Sequence, residues 1–196
     1  MPIQVVGFDP SLRNWGIAKG VIDIQEQCLV IQQLQVTTPV LPKVKQIRQN
    51  SQDLESARQL YEEAFTFAKE AQAIFVEVPV GSQSARAMAS YGICVGVLGA
   101  LRASGIPFFE VTPSEVKRVT CGKVTASKQE MITWAMNNHP EAPWPMYQQK
   151  DKMLVSEAKA EHMADAIGAI YAGVRDNQFK QWFNLIMQKE TTCKSP

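Results

Sequence analysis

Four residues able to do chemistry stand far apart in this chain: Asp9, Glu77, His162 and Asp165. Asp9 closes the apolar run Ile3 to Phe8, just before Pro10-Ser11, and Glu77 sits inside the β-branched run "AIFVEVPV". His162 and Asp165 lie three apart in "EHMADAIGAIYAGV", a spacing that makes side chains neighbours on one helix face. Carboxylates brought together repel unless a cation lies between them, and hard oxygen donors with one imidazole suit Mg²⁺ or Mn²⁺. Two such ions roughly 4 Å apart activate a water and stabilise the leaving oxygen in phosphodiester cleavage. Each residue also has a plainer reading. Asp9 before proline suits a turn, and His162 with Asp165 suits a solvated helix face. Glu161 competes with His162 as a ligand, and composition does not rank the two. Glu77 is the hardest to place otherwise, since an acid inside FVxVP has no evident structural reason to be there.

For these residues to meet, the chain must supply strands that end together and a helix that crosses them. Ile3 to Phe8, Trp15 to Ile24 and Cys28 to Val36 read as three strands of an antiparallel meander. Pro39 and Pro42 break the pattern, and helical spacing follows from about Val44 to Ala71. Ala73 to Val80 is a short strand, Ser84 to Ala103 a helix, and Ile106 to Val111 another strand. Thr112-Pro113-Ser114-Glu115 has the chemistry of a helix start, and a further helix begins near Thr125. The stretch from His139 to about Val155, rich in proline, reads as an irregular loop. A core helix spans about Glu157 to Val174, with Ala158, Ala166 and Ala169 keeping its surface small enough to approach a sheet. The tail beyond Asp176 contains "FKQWFNLIM", apolar enough to dock and more suited to covering core than to extending a subunit contact. The order suggests an α/β fold, a mixed sheet flanked by helices. A parallel pairing of the first strand with the one carrying Glu77 would set Asp9 and Glu77 at one end of it, where ligands of such sheets bind.

These stretches, taken together and in order, resemble the RuvC family of Holliday junction resolvases. The opening signature GIDPGxxxxG appears as Gly7-Phe8-Asp9-Pro10-Ser11 with Gly16 in register, and Arg13 also matches. Val76-Glu77 stands for the family's strand-ending IE, and Gly92 and Gly96 for its LGxxRG segment. VKxxxxGxxxAxK is matched by Val116-Lys117, Gly122, Ala126 and Lys128, and DxxDA becomes His162-Met163-Ala164-Asp165-Ala166. The resemblance covers about Ile3 to Val174 and implies an RNase H-like five-stranded sheet, with a nuclease domain over 1–175 and a C-terminal extension over 176–196. It implies that Asp9, Glu77, His162 and Asp165 bind two Mg²⁺ or Mn²⁺ ions. It also implies a homodimer that nicks opposing strands of a four-way junction in recombination and repair, leaving a 5′-phosphate and a 3′-hydroxyl. An isologous dimer matches the approximate two-fold symmetry of such a junction.

The segment "EVKRVTCGKVTASK" gathers Lys117, Arg118, Lys123 and Lys128 with Glu115 as its one acid. Alone it reads as a solvated basic face; by the resemblance these residues, with Arg13, contact the DNA backbone, giving salt-sensitive affinity rather than sequence choice. A second basic patch, Lys43-Lys45-Arg48, reads as solvated surface. The small residues Gly92, Gly96, Gly99 and Ala100 suit close packing on the sheet more than on a partner. Val80 stands where many members carry an aromatic wedge, and Ser11 replaces the family's glycine; with the long proline-rich loop, these departures are similar to those of phage-encoded relatives. Alternatives are a less selective branched-DNA nuclease, a non-catalytic module that binds branched DNA, and an RNA-processing enzyme of the same fold.

Composition sets the frame for these readings. The 196 residues are 45% hydrophobic and 20% charged with net charge +1, ordinary for a globular domain and uninformative about a nucleic-acid partner. Four separated cysteines and two histidines offer no zinc-finger spacing and suit a reducing compartment. No secretory signal is evident, and "GICVGVLGAL" is about half the length that crosses a bilayer. The expectation is a soluble, cytoplasmic protein with no membrane partner, in the host cytoplasm if phage-encoded.

Overall fold

The computed structural model describes residues 2–26, 28–42, 47–149 and 152–193. Its centre is a five-stranded sheet built from β1 (Pro2–Asp9), β2 (Trp15–Asp23), β3 (Cys28–Thr37), β4 (Ala73–Glu77) and β5 (Phe108–Val111), in the order β3-β2-β1-β4-β5. The first three strands are the expected antiparallel meander, while β4 runs parallel to β1 and β5 parallel to β4. The crossovers are α1 (Gln49–Ala68) before β4 and α2 (Ala85–Arg102) before β5. Then come α3 (Pro113–Cys121), α4 (Lys128–Asn138), the small hairpin β6 (Met146–Gln149) and β7 (Lys152–Val155), α5 (Glu157–Gly173) and α6 (Asn177–Cys193). This is the mixed, helix-flanked α/β sheet that the sequence led one to expect. Lys43 and Lys45 of the second basic patch lie outside the described residues.

The strand period of two divides the core into layers. Val6, Phe8, Ile17, Ile74 and Val76 face α1 and α2. Ile3, Val5, Ala18, Ala73 and Phe75 face the other way, toward α5 and the helices stacked on it. By that alternation Asp9 and Glu77 belong to the α5 side. In α6, Phe179 is fully buried and packs on Phe75 and Phe109, each ring centre 5.2 Å away.

Helix α5 lies directly on backbone. A Cβ added at Gly7 would come within 2.1 Å of the Ala166 carbonyl oxygen, and one at Gly16 within 2.1 Å of that of His162. The close approach therefore depends on glycines in the sheet as much as on Ala166 and Ala169, both fully buried in the helix. Ala158, expected to help, is exposed. The start of α3 is the predicted one: Thr112 and Glu115 form a reciprocal capping box with Pro113 in the first turn, an arrangement worth about 1 kcal/mol. An equivalent box from Ser127 and Glu130 starts α4, two residues after the expected point.

Two expectations are corrected. The stretch from His139 to Val155 is not wholly irregular, because Met146 pairs with Val155 and Tyr147 with Leu154 in the β6–β7 hairpin. In α2 the stripe of small residues faces away from the sheet: Gly92, Gly96, Gly99 and Ala100 are exposed, and a Cβ at any of the three glycines would meet nothing within 4 Å. Cys94, Val97, Leu98 and Leu101, larger and at helical spacing, take the buried face and leave the small residues outside.

Candidate active site

Sheet register brings the first two acids together. Phe8 pairs with Val76 across the parallel β1–β4 junction, so Asp9 and Glu77 stand side by side at the carboxyl ends of the two strands. Asp9 is also paired with Gly16, and the missing side chain there admits the His162 backbone. That is why one turn of α5 reaches the acids. His162 Nδ1 donates to Asp9 Oδ2 at 2.6 Å, and Asp165 follows one step further along the same helix face. Residues separated by 153 positions thus share one corner of the fold.

The electrostatics are those of crowded negative charge. Burial, with Asp9 and Asp165 beside it, pushes the Glu77 carboxyl up to about 9, against a smaller opposing pull from Lys117. Burial, then Asp9 and Glu161, raises Asp165 to about 7, with His162 and Lys117 acting the other way. The hydrogen bond to Asp9 holds His162 above the usual imidazole value. Asp9 and Glu77 open onto a cleft of about 250 Å³ walled by Ser11, Pro79, Val80, Tyr91 and Pro113. Val80 is 76% exposed at its rim. Tyr91 was not singled out from the sequence, where a tyrosine among the small residues of α2 carries no signal of its own.

The donor chemistry fits a divalent cation: buried carboxylates that raise one another's proton affinity are what a cation between them relieves. As the side chains stand, no three His, Cys, Asp or Glu among the described residues are grouped closely enough to hold an ion. One Asp9 oxygen is committed to His162. The residues that would hold a cation are Asp9, Glu77 and Asp165, and ligation through His162 Nδ1 would exchange its bond to Asp9. Cysteine chemistry is not on offer here, since burial and the Asp9 charge push the Cys94 thiol up to about 12.

The basic residues divide into two groups. Lys117 is half-buried on α3 and acts on both Glu77 and Asp165. Lys128, at the start of α4, pairs with Glu161 at 2.7 Å and senses Asp165 and Asp9 as well. Glu161, the competing candidate ligand, is therefore occupied with a lysine. Arg118 instead lines a recess with Glu110, Glu115 and Asp176, Lys123 is tied to Glu130, and Arg13 lines a recess with Asp53 and Arg86. The bidentate Arg86–Asp53 pair, both bonds 2.7 Å, was not foreseen either; its partners are 33 residues apart, beyond any local pattern.

No protein-family model matches the chain, and no curated protein matches it. Its shape does match solved structures. One is T. thermophilus RuvC in complex with a Holliday junction substrate, at a TM-score of 0.59 and 16% identity, over 87% of this chain and 92% of that one. Another is a Thermus thermophilus RuvC structure, at 0.59 and 18% identity, over 88% and 92%. The chain has a RuvC-like fold of the RNase H-like kind. Among the described residues no helix is long and apolar enough to cross a membrane.

Proposed function

We propose that the protein is a divalent-metal-dependent, structure-selective DNA endonuclease that nicks opposing strands of four-way junctions in recombination and repair. The observation that carries this reading is the convergence of Asp9, Glu77 and Asp165 under α5 at the carboxyl ends of β1 and β4. It lies on a fold shared with a RuvC solved in complex with a Holliday junction. Asp9, Glu77 and Asp165 would hold Mg²⁺ or Mn²⁺, two ions per site, with His162 beside them. When bound, the ions supply a reactive water near neutral pH and neutralise charge on the leaving oxygen.

The remaining work belongs to the chain. Lys117 and Lys128 face the acids and grip the phosphates on either side of the one to be cut, which fixes register without reading sequence. Lys128 must leave Glu161 to do so. His162 donates to Asp9 and holds that carboxylate in one rotamer. Arg13, Arg118 and Lys123 lie farther out and track the rest of the backbone. Val80, exposed at the cleft rim, is a small apolar contact near the branch point. The outward stripe of Gly92, Gly96 and Gly99, with Val95 and Met88 about half exposed on the same helix, supports a homodimer, because small residues let two helices approach closely and a two-fold dimer matches the junction.

A second reading, a non-catalytic module that binds branched DNA, is favoured by two observations: the Asp9–His162 bond, and the lack of a ready three-ligand group among the described residues. The test is nicking of a synthetic four-way junction by wild type, Asp9→Asn and Glu77→Gln. The nuclease reading expects cleavage that needs Mg²⁺ or Mn²⁺, is lost in both variants, and leaves binding intact. Junction binding with no cleavage under any divalent ion would hand the case to the second reading. Comparing His162→Asp under Mg²⁺ and Mn²⁺ then asks whether histidine at this position sets the metal.

A further inference from the structure

Away from the acids, an open apolar groove of about 460 Å³ runs between the β2–β3 hairpin and the junction of α5 with α6. Ile22, Ile24 and Leu29 line it from the hairpin, and Val174, Phe179 and Phe183 from the helices. Its volume falls in the range of ligand sites: Ile22, Leu29, Phe179 and Phe183 are buried in its floor, and Ile24, Tyr171 and Val174 are partly exposed along it.

The charge around the groove is one-sided. Arg175 and Lys180 both line it and both are exposed, while no acidic side chain among the described residues does. Arg175 also borders the recess containing Glu110, Glu115 and Asp176, yet no ion pair joins it to any of them. Lys180 likewise has no ion-pair partner among the described residues. Beside the groove, β3 is the outer strand of the sheet and no described strand pairs with its far edge. Leu29, near the start of β3, belongs to the groove lining itself. An extended chain laid along β3 would therefore find unpaired backbone groups on one side and apolar pockets on the other.

We propose that this groove docks an acidic peptide segment of a partner protein. The segment is extended and seats alternate bulky apolar side chains between the hairpin and α6, while its carboxylates reach Arg175 and Lys180. A nucleic-acid backbone would match the cations and leave the apolar walls wet. A single amphiphilic acid would leave the β3 edge unused. The proposal stands whether or not the acid site is a nuclease, because its readout is binding alone.

The test uses the full chain and a fluorescein-labelled decapeptide, Glu-Asp-Phe-Glu-Leu-Asp-Phe-Glu-Leu-Asp, followed by fluorescence anisotropy. Saturable binding on the order of 10 μM is expected, with amide shifts at Leu29, Phe179 and Lys180. The double variant Arg175→Glu/Lys180→Glu changes only exposed side chains, so its melting curve should match wild type. It should bind the peptide at least about tenfold more weakly. It should also prefer a peptide in which lysine replaces every acid. The proposal is overturned if the acidic peptide does not saturate, or if a peptide with alanine for every Phe and Leu binds equally well. It is also overturned if oleate alone occupies the groove, or if the same amides shift only through self-association of the chain.

Discussion

Removing the charge of Glu77 should make the ion-free protein more stable, even though it destroys the proposed activity. Burial beside Asp9 and Asp165 raises the Glu77 carboxyl from 4.5 to about 9. The folded chain therefore binds this proton more tightly than the unfolded chain does. The associated stability is complete below pH 4.5 and is lost progressively as pH climbs toward 9. Each pH unit in that window costs about 1.4 kcal/mol, so three units, from pH 4.5 to 7.5, set a ceiling of about 4 kcal/mol. Asp9 and Asp165 share the same repulsion and the cleft admits water, which lowers the expected effect to about 2 to 3 kcal/mol. For a chain of 196 residues that is roughly 5 to 10 °C in Tm. The assay is urea and thermal unfolding of wild type and Glu77→Gln in EDTA, at pH 5 and pH 7.5. The two proteins should match near pH 5, and the Gln variant should be the more stable at pH 7.5. Adding Mg²⁺ or Mn²⁺ should narrow the gap by stabilising wild type alone. A gap that does not change with pH, or a Gln variant less stable at pH 7.5 in EDTA, would refute the account of crowded carboxylates.

Three further outcomes are expected. Gly16→Ala drives a methyl into the His162 carbonyl, 2.1 Å away; because backbone must yield, the loss should reach about 3 kcal/mol by urea unfolding, with α5 displaced from Asp9 and nicking reduced. The chain has only two histidines, and their imidazole NMR signals in ion-free protein should titrate on opposite sides of 6.5. His162 is raised by its bond to Asp9, and His139 is lowered by burial. Asp9→Asn should bring down the His162 value and leave His139 unmoved. For His139 the sign also fixes a stability effect, since the unfolded chain takes the proton more readily and stability falls as pH drops below 6.5. Glu161→Gln releases Lys128 from its 2.7 Å pair; junction affinity should rise a few-fold at low salt and the gain should fade as salt is added, whereas unchanged affinity would remove Lys128 from the phosphate contacts.

What could be read from the sequence, and what could not, follows from which interactions are local. The apolar runs Ile3 to Phe8 and Ala73 to Val80 were legible as strands, and a parallel pairing of the two, weighed from the sequence, sets Asp9 and Glu77 at one end of the sheet. The capping box at Thr112 was legible because its partners are three residues apart. Pattern says that a face is buried, however, and not what buries it. In α2 both the small stripe and the face carrying Cys94, Val97, Leu98 and Leu101 are apolar, so only the position of α1 and the sheet decides which turns outward. The β6–β7 hairpin was hidden for a related reason: its strands are four residues each, too short for a period to register among prolines.

The state of the site itself is the least local feature of all. Four candidate side chains were named from their residue types and from the resemblance in motif order. Whether His162 joins a cation or a carboxylate depends on how far α5 sinks into the sheet, and two glycines without side chains set that depth. Gly7 and Gly16 each meet an α5 carbonyl oxygen where a Cβ would come within 2.1 Å. Gly16 is thus as much a determinant of the site as the acids, since any larger residue lifts His162 off Asp9. The same contact bears on the end of the first strand: Asp9 stands opposite Gly16, so the carboxylate arrives beneath the turn of α5 that carries His162.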